Sequence, residues 1–388
     1  MMLRKKNKST VSSNWRGLFD QPHEARFFSS LDGVILGVTV VLALGGLIAV
    51  FSASGYMAKV RFESSATLFF IRQALWLTIG FVLLLVLARL DYTDLRPYIP
   101  RFLLVCIALL AIVIVAGVES NGARRWINLD WFSLQPSELS KLAVVLYLAS
   151  YLSRPDISIT KWQGGLIEPL LVVGTICALL IFEDFGTPVV LGVVLVCMLY
   201  VAGARMLHLS MLTLAVIPPA VALIGNSPER MERLTSFLHP ELDRFDAGHQ
   251  LIQSFLAFSN GGIFGQGLGM GGQKLGYLPE AHTDFVLALI GEELGFIGTT
   301  CFLGLFVVLV LKGFRVAAQS HDLFGRYLAL GITLLLGVQV LMNAGVVSGL
   351  LPTKGLTLPL VSYGGSSLVT SMMAIGLLLS VARRRAMY

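Results

Sequence analysis

GGIFGQGLGMGGQKLGYLPEAHTDFVLALIGEELG, residues 261–295, passes in one stretch from a glycine-rich, water-compatible loop to an apolar helix. At the changeover stands Asp284, within Pro279-Glu-Ala-His-Thr-Asp-Phe285. An ionised carboxylate where hydrocarbon begins is costly to keep, so such a group marks a functional site by default. The same position also suits a helix cap, a role Asp often fills. Beyond it, Ala288, Gly291 and Gly295 fall on one helix face. A strip of small residues either admits a second helix closely or leaves a groove for a lipid chain. Glu292 and Glu293 lie off that face and read as structural groups, partnered by Lys141 or another base. The glycines let the loop bend around a ligand or simply turn. Gly267 to Gly272 matches a dinucleotide fingerprint in letters only, with no strand before it, and is set aside.

Outward from this stretch, the 388-residue chain is 55% hydrophobic and only 13% charged, with a mean hydropathy of +0.78. Soluble domains carry about a quarter charged residues, so most of this surface faces lipid. Apolar runs at 31–54, 67–88, 102–118, 137–152, 165–182, 187–203, 207–225, 284–311, 327–349 and 357–382 predict ten transmembrane helices, an all-α polytopic protein. A basic tail (1–30) precedes the membrane domain (31–382), and a short basic segment (383–388) follows it. No cleavable leader pattern precedes the first run. With the N-terminus inside, the inner segments take the tail, Arg89, Arg96, Arg101, Arg154, Lys161, Arg205, Lys312, Arg315, Arg326 and Arg383-Arg384-Arg385, the larger share of the basic residues. Both termini are therefore expected in the cytoplasm. The net charge of +6 records topology, not nucleic-acid binding. Cys106, Cys177, Cys197 and Cys301 all fall in apolar runs and read as small buried hydrophobes.

Two outer segments are rich in charge. The 226–283 loop, between helices seven and eight, is too long for a bare connection, and its amphipathic pieces predict short helices lying on the outer face. The 119–136 loop holds Arg124 and Arg125 against the positive-inside trend. Paired guanidinium forks there suit a pyrophosphate; anionic lipid head groups are the plainer ligand. Pro136 opens the next helix, placing Glu138 and Lys141 on one face, either as a packing ion pair or as part of a polar cavity. Asp184, in Glu183-Asp-Phe-Gly-Thr187, either orients a cation or makes a solvated turn. Arg124, Arg125, Glu138, Asp184 and Asp284 converge on the outer rim, whereas a coupled transporter concentrates polar groups at the midplane. The pattern suits an enzyme acting on a lipid-linked substrate outside the cytoplasm.

Gly122-Ala-Arg-Arg-Trp126, Gln135-Pro-Ser-Glu-Leu139, Tyr277-Leu-Pro-Glu-Ala-His-Thr-Asp-Phe285, Gly291-Glu-Glu-Leu-Gly295 and Ser362-Tyr-Gly-Gly-Ser-Ser367 together resemble the shape, elongation, division and sporulation (SEDS) family of polytopic glycosyltransferases. Gly349-Leu-Leu-Pro-Thr-Lys-Gly-Leu-Thr-Leu-Pro359 is similar to its division branch. The usual Gln-Pro-Asp hairpin is replaced here by Phe182-Glu183-Asp184. The resemblance implies polymerisation of lipid II into glycan strands at the septum, on the outer face of the bacterial inner membrane, with release of undecaprenyl pyrophosphate. It implies as partners a class B penicillin-binding transpeptidase and other divisome proteins. Asp284 is then the base for the acceptor hydroxyl, with His282 the rival. Arg124 and Arg125 hold the pyrophosphate, whose charge is met by arginine or a divalent cation (Mg or Mn), and Glu138, Lys141 and Asp184 organise the cavity. No organic cofactor is expected. A lipid II flippase and a non-catalytic scaffold are the competing readings; only Lys141, Glu292 and Glu293 hint at the polar path a flippase needs.

Overall fold

A computed structural model describes residues 32–386 apart from 62–67, 121–122, 129–132, 183, 242–246, 274–277 and 279–280. The basic tail, Gly122, Glu183, Tyr277 and Pro279-Glu280, all named above, lie outside the described residues. Helices α1 (Gly33–Arg61), α2 (Leu68–Arg89), α3 (Ile99–Ala116), α4 (Pro136–Leu152), α5 (Ile167–Leu180), α6 (Gly186–Val201), α7 (Met206–Gly225), α10 (Val286–Ala318), α11 (Leu323–Val347) and α12 (Gly365–Ala386) fall on the ten predicted runs. Among the described residues, eight of the helices are long and apolar enough to cross a membrane. The two that fall short are α4, shortened and charged by Glu138 and Lys141, and α6, which has 16 residues. Helix α12 carries on through Arg383 and Arg384, inside the segment expected as a tail.

The core forms around α4, α11 and α12. Helix α4 is buried on nearly every side, Lys141 included, so it reads as a central post. Gly376 of α12 lies so close to the Leu84 backbone of α2 that a Cβ would sit 2.7 Å from the Leu84 carbonyl oxygen; small residues permit such helix contact without hydrophobic driving force. Helix α7 stands at the periphery, with Leu209 its one buried residue among those described. Cys106 is buried, but Cys301 is exposed. The apolar face carrying Cys301 meets lipid, which solvates a thiol-bearing face as readily as protein does.

Polar contacts gather at the two ends of the bundle. At one end Lys312 lies 3.9 Å from Asp32, Arg384 pairs with Asp91 at 2.9 Å, Tyr92 donates to Asp322, and Arg96 donates to Ser153 at 3.0 Å. At the other end the 119–136 loop folds into an antiparallel sheet, β1 (Val118–Ser120), β2 (Ala123–Asn128) and β3 (Ser133–Leu134), in the order β1-β2-β3. This sheet was not predicted. Its strands are too short to show a period, and their polar residues read as loop. The same end carries α8 (Pro228–Leu238) and α9 (Ala247–Gly261). Helix α8 is exposed, as expected of a surface helix, but α9 packs closely along the start of α10, with Phe258 against Gly291. The strip of small residues beneath Asp284 therefore receives a helix, and the groove for a lipid chain is filled at this place.

Candidate active site

Asp284 lies in the turn 281–285, half-buried, directly before α10. The cap position of that helix is Phe285, whose side chain makes no capping bond. Its carbonyl accepts a hydrogen bond from the Asn343 side chain of α11 at 2.9 Å. Asn343, fully buried, also donates to the Leu356 carbonyl at 2.7 Å. One amide thus ties the turn bearing Asp284 to the segment 352–358. Within that segment is Gly355, where a Cβ would meet Asp284 Oδ2 at 3.3 Å and Arg125 Nη1 at 3.7 Å. A carboxylate and a guanidinium therefore converge on one exposed glycine.

The sheet decides which arginine arrives there. Pairing of β1 with β2 shifts register between Arg124 and Trp126, leaving Arg125 at the irregularity, and the two arginines reach different partners. Arg124 donates to the Val115 carbonyl at the end of α3, 3.1 Å away, while Arg125 reaches Gly355. The two guanidinium groups, adjacent in sequence, rest against different elements.

Asp184 has committed both oxygens. Oδ1 accepts from Gly186 N at 2.8 Å, and Oδ2 accepts from Thr187 N at 3.0 Å and its hydroxyl at 2.7 Å. It closes the first turn of α6, where a negative charge meets the helix dipole favourably. Its charge also acts on Lys354, whose ammonium is held below the ordinary lysine range by burial, with Asp184 opposing. Lys354 lies 5.4 Å from the centre of the Phe185 ring, and Arg230 of α8 lies 5.4 Å from the same ring. Gly186 in turn presses on Leu356. The hairpin and the segment 352–358 form one wall carrying two cations.

Glu138 and Lys141 face each other at 2.9 Å, both buried. His282 packs edge-on against Phe69 and tilted against Tyr363, ring centres 5.6 Å away in each case, and its carbonyl accepts from Tyr363 N. Glu292 accepts from Gly272 N at 2.9 Å and from Gln273 N, and Glu293 accepts from the Ser52 hydroxyl. The partners expected for these two acids were basic. Among the described contacts, backbone amides and a serine hydroxyl satisfy these carboxylates, as N–H and O–H donors can. With Lys141 engaged by Glu138 as well, the three groups that hinted at a polar path each have a local partner.

Three residues of this site escaped the sequence reading: Asn343, Lys354 and Gly355. Lys354 gave a signal, since it is basic in an outer segment; Asn343 gave none beyond being polar in an apolar run. The segment is also strained, since Leu360 adopts a left-handed φ of 68°, uncommon for a non-glycine residue and typical of functional loops. Ser362 holds the turn through its hydroxyl oxygen, which accepts from Leu358 N at 2.8 Å. Among the described residues no three His, Cys, Asp or Glu cluster to hold a metal ion.

The fold and this charged rim define a polytopic membrane protein with its polar site at one end. The family model of cell cycle proteins that unites FtsW, RodA and SpoVE matches residues 33–387, and the chain belongs to that family. A probable peptidoglycan glycosyltransferase FtsW of Geobacter sulfurreducens is 42% identical over 356 residues, covering 91% of this chain and 95% of the relative. Stage V sporulation protein E of Bacillus subtilis is 41% identical, covering 92% and 98%. Among solved structures, a chain from a peptidoglycan synthase complex that coordinates polymerization and crosslinking matches with a TM-score of 0.74 at 29% identity, covering 92% of this chain and 98% of that one. The rod shape determining protein RodA of Thermus thermophilus matches with a TM-score of 0.68 at 28% identity, covering 92% and 97%.

Proposed function

We propose that the chain is a peptidoglycan glycosyltransferase of the division branch, polymerising lipid II at the septum on the outer face of the inner membrane. The observation that carries the mechanism is the meeting of Asp284 Oδ2 and Arg125 Nη1 at Gly355. Asp284 takes the proton of the acceptor sugar's 4-hydroxyl, whose oxygen then bonds to the donor's anomeric carbon. The bond from that carbon to the pyrophosphate breaks, and undecaprenyl pyrophosphate leaves. Attack opposite the leaving group turns an α-linked donor into a β-linked product. A pyrophosphate needs its charge met more than it needs a protonating acid; Arg125 and Lys354 supply that charge, and Arg124 stands at the rim as the chain approaches. Asp184 and the buried Glu138–Lys141 pair hold the walls, and His282 braces the turn through its aromatic neighbours.

A magnesium or manganese ion is assigned to the pyrophosphate itself, since magnesium is commonly bound through substrate phosphates with few protein ligands; it would add to the neutralisation of the leaving group. The partner proposed is a class B penicillin-binding transpeptidase with other divisome proteins, supported by the likeness to a synthase-complex chain. Both termini are placed in the cytoplasm.

The test is polymerisation of labelled lipid II by the purified protein with its septal transpeptidase, wild type against Asp284→Asn. The expected outcome is polymer from wild type and none from the folded variant. Equal polymer from both would remove Asp284 from the chemistry and bring His282 forward. No polymer from either, with complex formation verified and divalent cation varied, would favour transport or scaffolding.

A further inference from the structure

The segment from Gln250 to Gln273 carries no Lys, Arg, Asp or Glu. It contains most of α9 and the glycine loop, and the sequence placed both above the membrane. Its contacts place it lower. Gly295 adopts φ 70° and interrupts α10, which would leave backbone groups unpaired. The loop answers each of them: Gln266 N and Gly267 N donate to the carbonyls of Glu292 and Glu293, both at 3.0 Å, and Phe296 N and Ile297 N donate to the carbonyls of Gly262 and Ile263, at 2.9 and 3.2 Å. Irregular backbone is tolerated at membrane depth when such groups are satisfied by protein.

The depth of this exchange follows from helix rise. From Lys312, beside Asp32 at the far end, α10 climbs to Glu292 in 20 residues, about 30 Å at 1.5 Å each. From Asp32, α1 climbs the same number of residues to Ser52, which bonds Glu293. About 30 Å is the thickness of the hydrocarbon layer. The loop thus meets α10 at the upper hydrocarbon boundary and just beneath it, while Asp284 stands above. At that level Phe264 is 82% exposed, Leu268 63% and Met270 73%, and their neighbour Phe296, on the lipid-facing side of α10, is 70% exposed.

We propose that the tip of this loop, Ile263 to Met270, is seated in the membrane leaflet on the side of the site, its occupant being lipid. The apolar tip continues the lipid-facing surface of α10, carries no charge to be dehydrated, and keeps its polar backbone paired to the broken helix. The tip thereby anchors α9. That helix reaches the end of α11 through the Ser254 hydroxyl, which donates to the Val347 carbonyl at 2.7 Å. Insertion in the leaflet therefore steadies the helix whose Asn343 holds the turn of Asp284.

The experiment is spin labelling of the full chain in nanodiscs, with the four native cysteines replaced, at Phe264→Cys and Leu268→Cys. Phe296→Cys serves as the lipid reference and Glu232→Cys on α8 as the aqueous one. Power saturation with oxygen and with a nickel chelate reads the depth. Labels at 264 and 268 are expected to give an oxygen-to-nickel ratio like that at 296 and several-fold above that at 232. A ratio like that at 232 overturns the proposal. Protection from both relaxants also overturns it, because it means protein contact at the tip. Met270→Cys and Ile263→Cys repeat the reading where either first variant fails to fold.

Discussion

Gly355 is an opening as much as a residue. A methyl group there would approach Asp284 Oδ2 to 3.3 Å, tight for a carbon–oxygen contact, and would stand where a substrate hydroxyl must reach the carboxylate. Gly355→Ala needs no unusual backbone angle, so folding and thermal stability are expected to stay near wild type. Polymerisation is expected to fall by about 10–100-fold, since a misplacement of about 1 Å can cost that much. A variant with wild-type activity would separate the glycine from the reacting groups. Lys354 gives a pH test. Burial lowers its pKa, so its ammonium is lost as pH rises, at a pH where an ordinary lysine would still be charged. If that ammonium meets the pyrophosphate, activity falls on the alkaline side with this group. Lys354→Arg, charged beyond pH 12, should move the alkaline limb upward, and Lys354→Met should lose activity throughout. An alkaline limb indifferent to arginine would assign the titration elsewhere.

At the scale of elements, the site depends on how short segments are tied to long helices. Asn343→Ala leaves the carbonyls of Asp284 and Leu356 without their donor, the buried Leu356 acceptor alone costing about 1–3 kcal/mol. Lower melting temperature together with lost polymerisation is expected, and full activity would show that the turn holds without its tie. The Glu138–Lys141 pair separates packing from chemistry. Lys141→Met alone leaves a buried carboxylate unmatched, a loss of about 3–5 kcal/mol, whereas replacing both members by apolar residues is often neutral. The double variant Glu138→Leu/Lys141→Met should therefore regain stability. If the pair shapes a polar cavity, the double variant stays inactive in polymerisation; recovered activity would make the pair a packing device only.

Across the whole molecule, what could be read in advance was what periodicity and length record. The long apolar helices announced themselves, and so did the concentration of acids and arginines at one end. The departures have physical causes. Residues 356–361 are apolar enough to extend the last run, yet Pro359 disfavours helix before it, and α12 begins only at Gly365. Helix α10 continues to Ala318 because its hydrogen bonds do not end where the hydrocarbon does. The division of Arg124 from Arg125 required a strand too short to predict, and the convergence at Gly355 joins segments far apart in the chain. The proposed orientation of the bundle rests on charge: the end holding Lys312, Arg315 and Arg384 is basic, as a cytoplasmic end is expected to be. Ser158, exposed between α4 and α5, and Asn226, exposed after α7, lie at opposite ends. In spheroplasts carrying cysteine-replaced protein, Asn226→Cys is expected to react with an impermeant maleimide while the cells are intact. Ser158→Cys should react only after permeabilisation. The reverse pattern would put Asp284 in the cytoplasm, and with it would fall any role in assembling glycan outside the membrane.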